Sequence, residues 1–152
     1  MYAPTAALRL GFNGAYTDAY LTEDVPSIGG ANGAKLPGIP TWALSATADY
    51  SFPVHADWNG RIGGGIRYVG DTFSGVESAP TTFPQDSYTL VDLNADISND
   101  RWTIRFFIKN LTDQKVYTNL TALSSAATGQ IAQVRGVPLQ PRMIGIGFDA
   151  KF

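Results

Sequence analysis

The sequence predicts an all-β protein, an antiparallel up-and-down meander of about six long strands. Three observations lead to this fold class. Apolar residues recur at every second position in six segments, the links between those segments are long and short in turn, and Trp and Tyr lie near segment ends. Side chains of a strand point alternately to its two faces, so a period of two indicates an amphipathic strand.

The first three predicted strands cover 6–16, 41–50 and 58–68. Their apolar positions are Leu8, Leu10, Phe12, Tyr16, Trp42, Leu44, Ala46, Ala48, Tyr50, Trp58, Ile62, Ile66 and Tyr68. The positions between them hold Arg9, Asn13, Thr41, Ser45, Thr47, Asp49, Asn59, Arg61 and Arg67. Three consecutive glycines from Gly63 lack the following helix and Lys of a phosphate-binding loop, and are interpreted as a flexible or closely packed part of the strand.

The last three predicted strands cover 90–98, 101–111 and 142–152. Their apolar positions are Val91, Leu93, Ala95, Ile97, Trp102, Ile104, Phe106, Ile108, Ile144, Ile146, Phe148, Ala150 and Phe152. All six strands are longer than an average strand and near the length of a tilted strand that crosses a membrane. The links 18–39, 71–86 and 113–137 are long and rich in Gly, Pro, Ser and Thr, whereas 51–56 and 98–100 are short. We therefore expect mobile loops at one end, tight turns at the other and no domain boundary, as in outer-membrane barrels.

Aromatic residues on the apolar face mark two levels of this meander. We predict membrane-belt positions at Trp42, Tyr50, Trp58, Tyr68, Trp102 and Phe152. Ten residues of a strand tilted by about 40° span about 25 Å, which is the height of a lipid-facing band. The strands are therefore predicted to form part of a transmembrane β-barrel. The alternative is that these aromatics cap the edges of a soluble sheet.

The opposite face is predicted to line a polar lumen. Its charges are Arg61, Arg67, Asp92, Asp96, Arg101, Arg105 and Lys109. A turn at residues 98–99 would place Asp96 opposite Arg101 and Asp92 opposite Arg105 as ordinary cross-strand ion pairs.

The composition excludes several kinds of chemistry. The chain has no Cys, one His and a formal net charge of −2, so it offers no thiolate, no His cluster and no basic surface for nucleic acid. We predict no catalytic, cofactor-binding or metal-binding residue. A barrel hydrolase would need His55 as its base, and His55 is expected in a short turn. Asp92 and Asp96 could be paired carboxylates, but arginines are their expected partners.

Several motifs resemble the C-terminal end of TonB-dependent outer-membrane receptors. They are residues 88–93 (YTLVDL), 109–117 (KNLTDQKVY), Pro141 with Arg142, the final Phe152, and upstream 36–40 (LPGIP) and 67–71 (RYVGD). The resemblance implies outer-membrane lipid, the barrel assembly machinery, a plug domain and a transported small molecule as partners. Gly147, Ala150 and Phe152 match the family's assembly signal, although Gly145 stands where a polar residue is usual.

The family implies a barrel of about 22 strands and a plug, together with energised uptake of a siderophore, cobalamin or saccharide. We expect residues 1–152 to be a partial barrel, its C-terminal strands without a plug domain, and to be unable to transport alone. A small relative that closes differently or assembles from several copies is an alternative. Another is a small soluble β-barrel that turns its apolar face inward around an apolar ligand. Ligand capture would fall to loops 22–35, 72–85 and 118–135, in which no single contact residue stands out.

Overall fold

The computed structural model describes residues 2–5, 7–124, 128 and 130–151, and these residues form an all-β fold. Seven antiparallel strands make one sheet in the order β1-β2-β3-β4-β7-β8-β11. Two small hairpins, β5–β6 and β9–β10, lie outside it. The strands are β1 (Tyr2–Thr5), β2 (Leu8–Tyr16), β3 (Trp42–His55), β4 (Trp58–Val69), β5 (Thr72–Phe73), β6 (Pro84–Gln85), β7 (Tyr88–Ser98), β8 (Trp102–Lys109), β9 (Tyr117–Ser124), β10 (Ile131–Pro138) and β11 (Met143–Ala150).

The six predicted long strands are confirmed as the main body of the sheet, in sequence order. The short β1 adds an edge hairpin with β2. β3 is longer than predicted and ends at His55, so its turn to β4 is only two residues, with Ala56 at φ 47. Pro53 does not end β3, because the register pairs with β2 stop at Tyr50 and the missing N–H costs no ladder bond on that side.

The register places the predicted apolar positions that the structure describes on one face. Residues directly opposite each other in neighbouring strands share a face. One such row runs Leu8, Tyr50, Ile62, Ala95, Phe106 and Ile146. The neighbouring row on the other face runs Ser51, Arg61, Asp96, Arg105 and Gly147. The predicted two-sided sheet is thus present in the described residues.

The predicted pairing around the β7–β8 turn is wrong. Asp96 lies opposite Arg105, and Ser98 lies opposite Thr103. The reversal falls at Asp100 and Arg101, because the Asn99 side chain accepts hydrogen bonds from the backbone N of Arg101 (2.9 Å) and Trp102 (2.7 Å). An Asn that binds the backbone two and three residues ahead builds the turn after itself, which moves the register.

The first two long loops hold more fixed structure than their composition predicted. Loop 17–41 contains a 3₁₀ turn (Pro26–Ile28), and loop 70–87 contains the β5–β6 hairpin. The loops are joined to each other, since Ser78 donates to the carbonyl of Gly29 and the backbone N of Glu77 donates to that of Lys35. The buried hydrophobic residues among those described are Ala34 and Val76, and both belong to these loops.

The third long loop contains the β9–β10 hairpin, which the sequence analysis missed. Residues 117–124 and 131–138 pair antiparallel with two register shifts. Their alternation mixes Asn, Thr and Gln with Leu, Val and Tyr on both faces, so no amphipathic pattern marks them. No helix among the described residues is long and apolar enough to cross a membrane.

Candidate functional site: a two-faced sheet

The apolar face of the sheet is exposed. Phe12 is 70% exposed, and Ile146 and Phe148 are 67% and 63% exposed. No described side chain is fully buried, so the sheet has no core beneath it. A soluble barrel would turn this face inward, and the described residues do not do so. A contiguous apolar surface of this extent marks contact with a partner or with lipid.

Aromatic pairs stand near both ends of this face. At the loop end Tyr16 and Trp42 have ring centroids 4.9 Å apart, and at the turn end Trp102 stacks on Phe148 at 5.3 Å. Trp58 lies beside the β3–β4 turn, opposite His55.

Of the other predicted belt positions, Tyr68 lies opposite Leu44 near the loop end. Tyr50 lies five residues before the end of β3, rather than at it, because the strand continues to His55. Phe152 lies outside the described residues. The contact of these rings with a membrane interface stays a prediction.

A shallow depression of about 700 Å³ interrupts the apolar face at its middle. It forms where Ala46, Ala48 and Gly64 provide little side chain between larger neighbours such as Leu10 and Leu93. It explains the role of Gly64, the middle one of the three consecutive glycines, which keeps the apolar surface low at the centre of β4.

Two ion pairs lie on the polar face within the described part of the chain, and both differ from the predicted ones. Arg61 binds Asp96 Oδ1 through Nη2 at 2.6 Å and Nε at 2.8 Å. Arg105 Nη1 lies 3.0 Å from Asp149 Oδ2. Because Asp96 and Arg105 are register partners, these four residues form a row of alternating charge across β4, β7, β8 and β11. Asp149 is not among the predicted lumen charges, although it lies on the polar face of β11.

The other predicted lumen charges are distributed more widely. Arg67 and Lys109 lie at polar-face positions of β4 and β8. Arg101 lies in the turn before β8 rather than in the strand. Asp92 Oδ1 accepts a hydrogen bond from the backbone N of Asn110 at 2.8 Å instead of pairing with Arg105.

The side chain of Asn110 holds the chain in place where β8 ends. Asn110 belongs to the motif at residues 109–117 that resembles TonB-dependent receptors. It is 3% exposed and has φ 50. Its Nδ2 donates to the carbonyls of Gln114 (3.1 Å) and Gln140 (2.9 Å), and its Oδ1 accepts from the backbone N of Gln114 (2.8 Å). Nearby, Asp113 accepts from the backbone N of Arg142 at 3.1 Å. The motif therefore ties both ends of the third loop together.

The residues of the predicted assembly signal lie in β11 as far as the structure describes them. Ala150 lies opposite Trp102, and Gly147 lies opposite Arg105. Gly145 lies under the ring of Phe107, which leaves no room for a Cβ. A side chain at position 145 would have to displace this ring.

No group of three or more His, Cys, Asp or Glu side chains comes together among the described residues in a way that could hold a metal ion. The sole histidine, His55, is exposed at the end of β3. The polar face thus carries the two ion pairs, further charged residues, amides and hydroxyls on an open sheet.

An antiparallel meander with one exposed apolar face, one charged face and alternating long loops and tight turns is the wall of an outer-membrane type of β-barrel. The family model of the TonB dependent receptor-like β-barrel matches residues 3–111. The chain belongs to this family, as the resemblance implied, and membership implies an outer-membrane location. No curated protein sequence matches the chain.

One similar solved structure is BauA, the ferric preacinetobactin receptor of Acinetobacter baumannii. The TM-score is 0.72 at 21% sequence identity, over 99% of this chain and 20% of that one. The chain therefore has the fold of a receptor barrel wall and spans about one fifth of the length of BauA.

Proposed function

We propose that these 152 residues form part of the barrel wall of a TonB-dependent receptor for energised nutrient uptake. The apolar face contacts outer-membrane lipid, and the polar face lines the lumen toward the plug. The observation that carries the proposal is the register, which places the alternating apolar positions of six strands, as far as the structure describes them, on one face. Lipid is the environment in which such a face is stable without a protein core.

Within this proposal the substrate is a siderophore, a cobalamin or a saccharide, and the chain is not an enzyme. The barrel assembly machinery inserts the sheet, and the remaining strands of the barrel pair with its edges. β1 and β11 are at opposite ends of the strand order, so the described residues form an open sheet. An open edge cannot remain unpaired in lipid, which supports a larger barrel as the assembled state.

Site-directed labelling tests the two faces with neighbouring residues. The chain has no native Cys, so Ala46→Cys and Thr47→Cys each give one nitroxide site, and Ala95→Cys and Asn94→Cys repeat the pair on β7. In phospholipid vesicles we expect labels at positions 46 and 95 to be accessible to oxygen, which concentrates in lipid. Labels at 47 and 94 should instead be accessible to a water-soluble nickel complex.

Two outcomes would overturn the proposal. One is an equal accessibility of both faces to the nickel complex. The other is a folded monomer in detergent-free buffer whose labels at 46 and 95 are protected from both reagents, which would establish the soluble barrel.

Transport by these residues alone is a separate test. An open sheet cannot enclose a lumen, so we propose that the 152 residues are transport-incompetent by themselves. They would be expressed behind a signal sequence in a strain that lacks its own receptor for the nutrient. Ligand-dependent growth of that strain would contradict this part of the proposal.

A further inference from the structure

A cavity of about 250 Å³ lies at the loop end of the sheet, between the β5–β6 hairpin and β9. Its walls come from segments far apart in sequence, so no local motif marks it. Val69 and Tyr88 line the cavity and are register partners on the polar face. The cavity therefore lies on the side that the proposed function assigns to the lumen mouth.

Asp86 is the charged residue among the described residues that line this cavity. It is exposed, and its carboxylate has no ion pair or hydrogen bond in the part of the chain that the structure describes. Tyr88 and Tyr117 add two aromatic rings to the lining. The lining thus combines an unpaired negative charge with two tyrosine side chains.

We propose that this cavity binds the positively charged, ammonium-bearing part of a small organic ligand, an inference that rests on the proposed function and narrows its substrate class. The charge of a carboxylate attracts a primary or a quaternary ammonium group, and aromatic faces attract cations. The volume is below that of most sites for whole drug-sized ligands, so one group of a larger molecule is what fits.

The charge of the surrounding loops supports the same ligand class. Loops 17–41 and 70–87 carry six acidic residues and one basic residue, and loop 110–142, which contains β9, carries one acidic and three basic residues, so the three loops together have a formal charge of −3. A negative field at the mouth raises the local concentration of cations and repels anions. An anionic ligand would have to approach against this field.

The backbone around the cavity also has features that are common at binding sites. Asn119, another lining residue, has φ 51, a conformation that a non-glycine residue rarely adopts. The strand opposite shifts register between Arg135 and Val137, next to Thr118. Bulges of this kind change the direction of side chains and are frequent beside functional sites.

The test uses the full chain in a polyoxyethylene detergent, because choline-headgroup detergents carry the charge of the probe. The probes are tetramethylammonium, tert-butanol as its neutral counterpart and pivalate as an anion of similar shape. Binding is measured from the NMR shifts of the amides of Asp86 and Asn119. We expect tetramethylammonium to bind at least about tenfold more tightly than either comparison molecule, a factor equal to about 1.4 kcal/mol.

Variants separate the cavity from general surface charge. Asp86→Asn should weaken tetramethylammonium binding about tenfold, whereas Asp57→Asn, in the turn at the far end of the sheet, should leave it unchanged. Tyr117→Leu should weaken binding, and Tyr117→Phe should keep it because a phenyl face also attracts cations. Equal binding of the three probes, a preference for pivalate, or an unchanged affinity in Asp86→Asn would overturn the inference.

The labels at positions 46 and 47 show whether a negative binding result contradicts the cavity inference alone or the proposed function as well. If they have the accessibilities of the proposed function and no ammonium binding is found, only the cavity inference fails. If their accessibilities are reversed or equal, the barrel-wall proposal fails, and with it the inference that depends on it.

Discussion

The side-chain amide of Asn110 donates a hydrogen bond to the backbone carbonyl of Gln140, 30 residues further along the chain, at a distance of 2.9 Å. The same amide holds Gln114, so one buried side chain joins the exit of β8 to the entry of β11. The hairpin β9–β10 lies between these two points. Its position beside the cavity therefore depends on a residue that contributes nothing to the cavity lining.

Asn110→Ala should destabilise the fold by about 2 kcal/mol or more, because it leaves buried backbone groups without partners and because Ala adopts a positive φ less readily than Asn. Asn110→Gly removes the same hydrogen bonds but accepts the backbone conformation. The difference between the two variants in free energy of unfolding, measured by urea titration in detergent, separates the two effects. Amide exchange of residues 117–124 should accelerate in both, and unchanged exchange there would contradict the anchoring role.

Much of the fold follows from the alternation of apolar and polar residues along each strand. This alternation does not predict the register of the β7–β8 hairpin. Alternation assigns Asp96 and Arg105 to the polar face, and the structure agrees. It does not determine how far one strand slides along another, because a slide by two residues leaves every side chain on the same face. The Asn99 side chain sets that slide through two backbone hydrogen bonds.

Asn99→Ala should destabilise the β7–β8 turn by about 1 kcal/mol, the typical net contribution of hydrogen bonds of this kind. Asp100→Ala is the matched control in the same turn, since no side-chain hydrogen bond or ion pair of Asp100 is found among the described residues. The measurement is the free energy of unfolding of the two variants. An equal loss in both would show that Asn99 does not determine the turn.

The two ion pairs of the polar face should differ in coupling energy. Arg61 contacts Asp96 through two nitrogens, and the Asp96 side chain is 13% exposed, whereas both members of Arg105–Asp149 are 55% exposed. Exposed pairs contribute about 0 to 1 kcal/mol, and partial burial with two hydrogen bonds favours the upper end. Double-mutant cycles with Arg61→Gln and Asp96→Asn, and with Arg105→Gln and Asp149→Asn, measure the coupling.

Salt provides the control for these cycles. The coupling of Arg105–Asp149 should disappear as ionic strength rises, because exposed charges are screened within about 10 Å at 0.1 M salt. The coupling of Arg61–Asp96 should persist. A larger coupling for the exposed pair would contradict this ranking.

The sequence predicts two ligand-capturing loops that border the cavity, 72–85 and 118–135, but it does not predict which residues line the cavity. Asp86, Tyr88 and Tyr117 lie at strand ends and have no period, and the third loop shows no amphipathic pattern for β9 and β10. Only the docking of that hairpin beside β6 brings these residues together. The alternation of apolar and polar residues predicts the two faces of a barrel wall. A site between loops depends on tertiary contacts, which this alternation does not predict.

Gly145 and Phe107 provide the sharpest test of packing on the polar face. The Phe107 ring covers Gly145 so closely that a Cβ would overlap it, whereas a Cβ on Gly147, two residues away in the same strand, would lie 3.9 Å from Arg105 Cβ. Gly145→Ala should therefore destabilise the sheet by about 0.5 to 1.5 kcal/mol, the cost of turning the Phe107 ring away from its rotamer, and Gly147→Ala should be neutral. The Phe107→Leu background, which removes the ring, should abolish most of the Gly145→Ala effect. Equal effects of the two alanine substitutions on the free energy of unfolding, or no rescue by Phe107→Leu, would show that this ring does not determine the glycine at position 145.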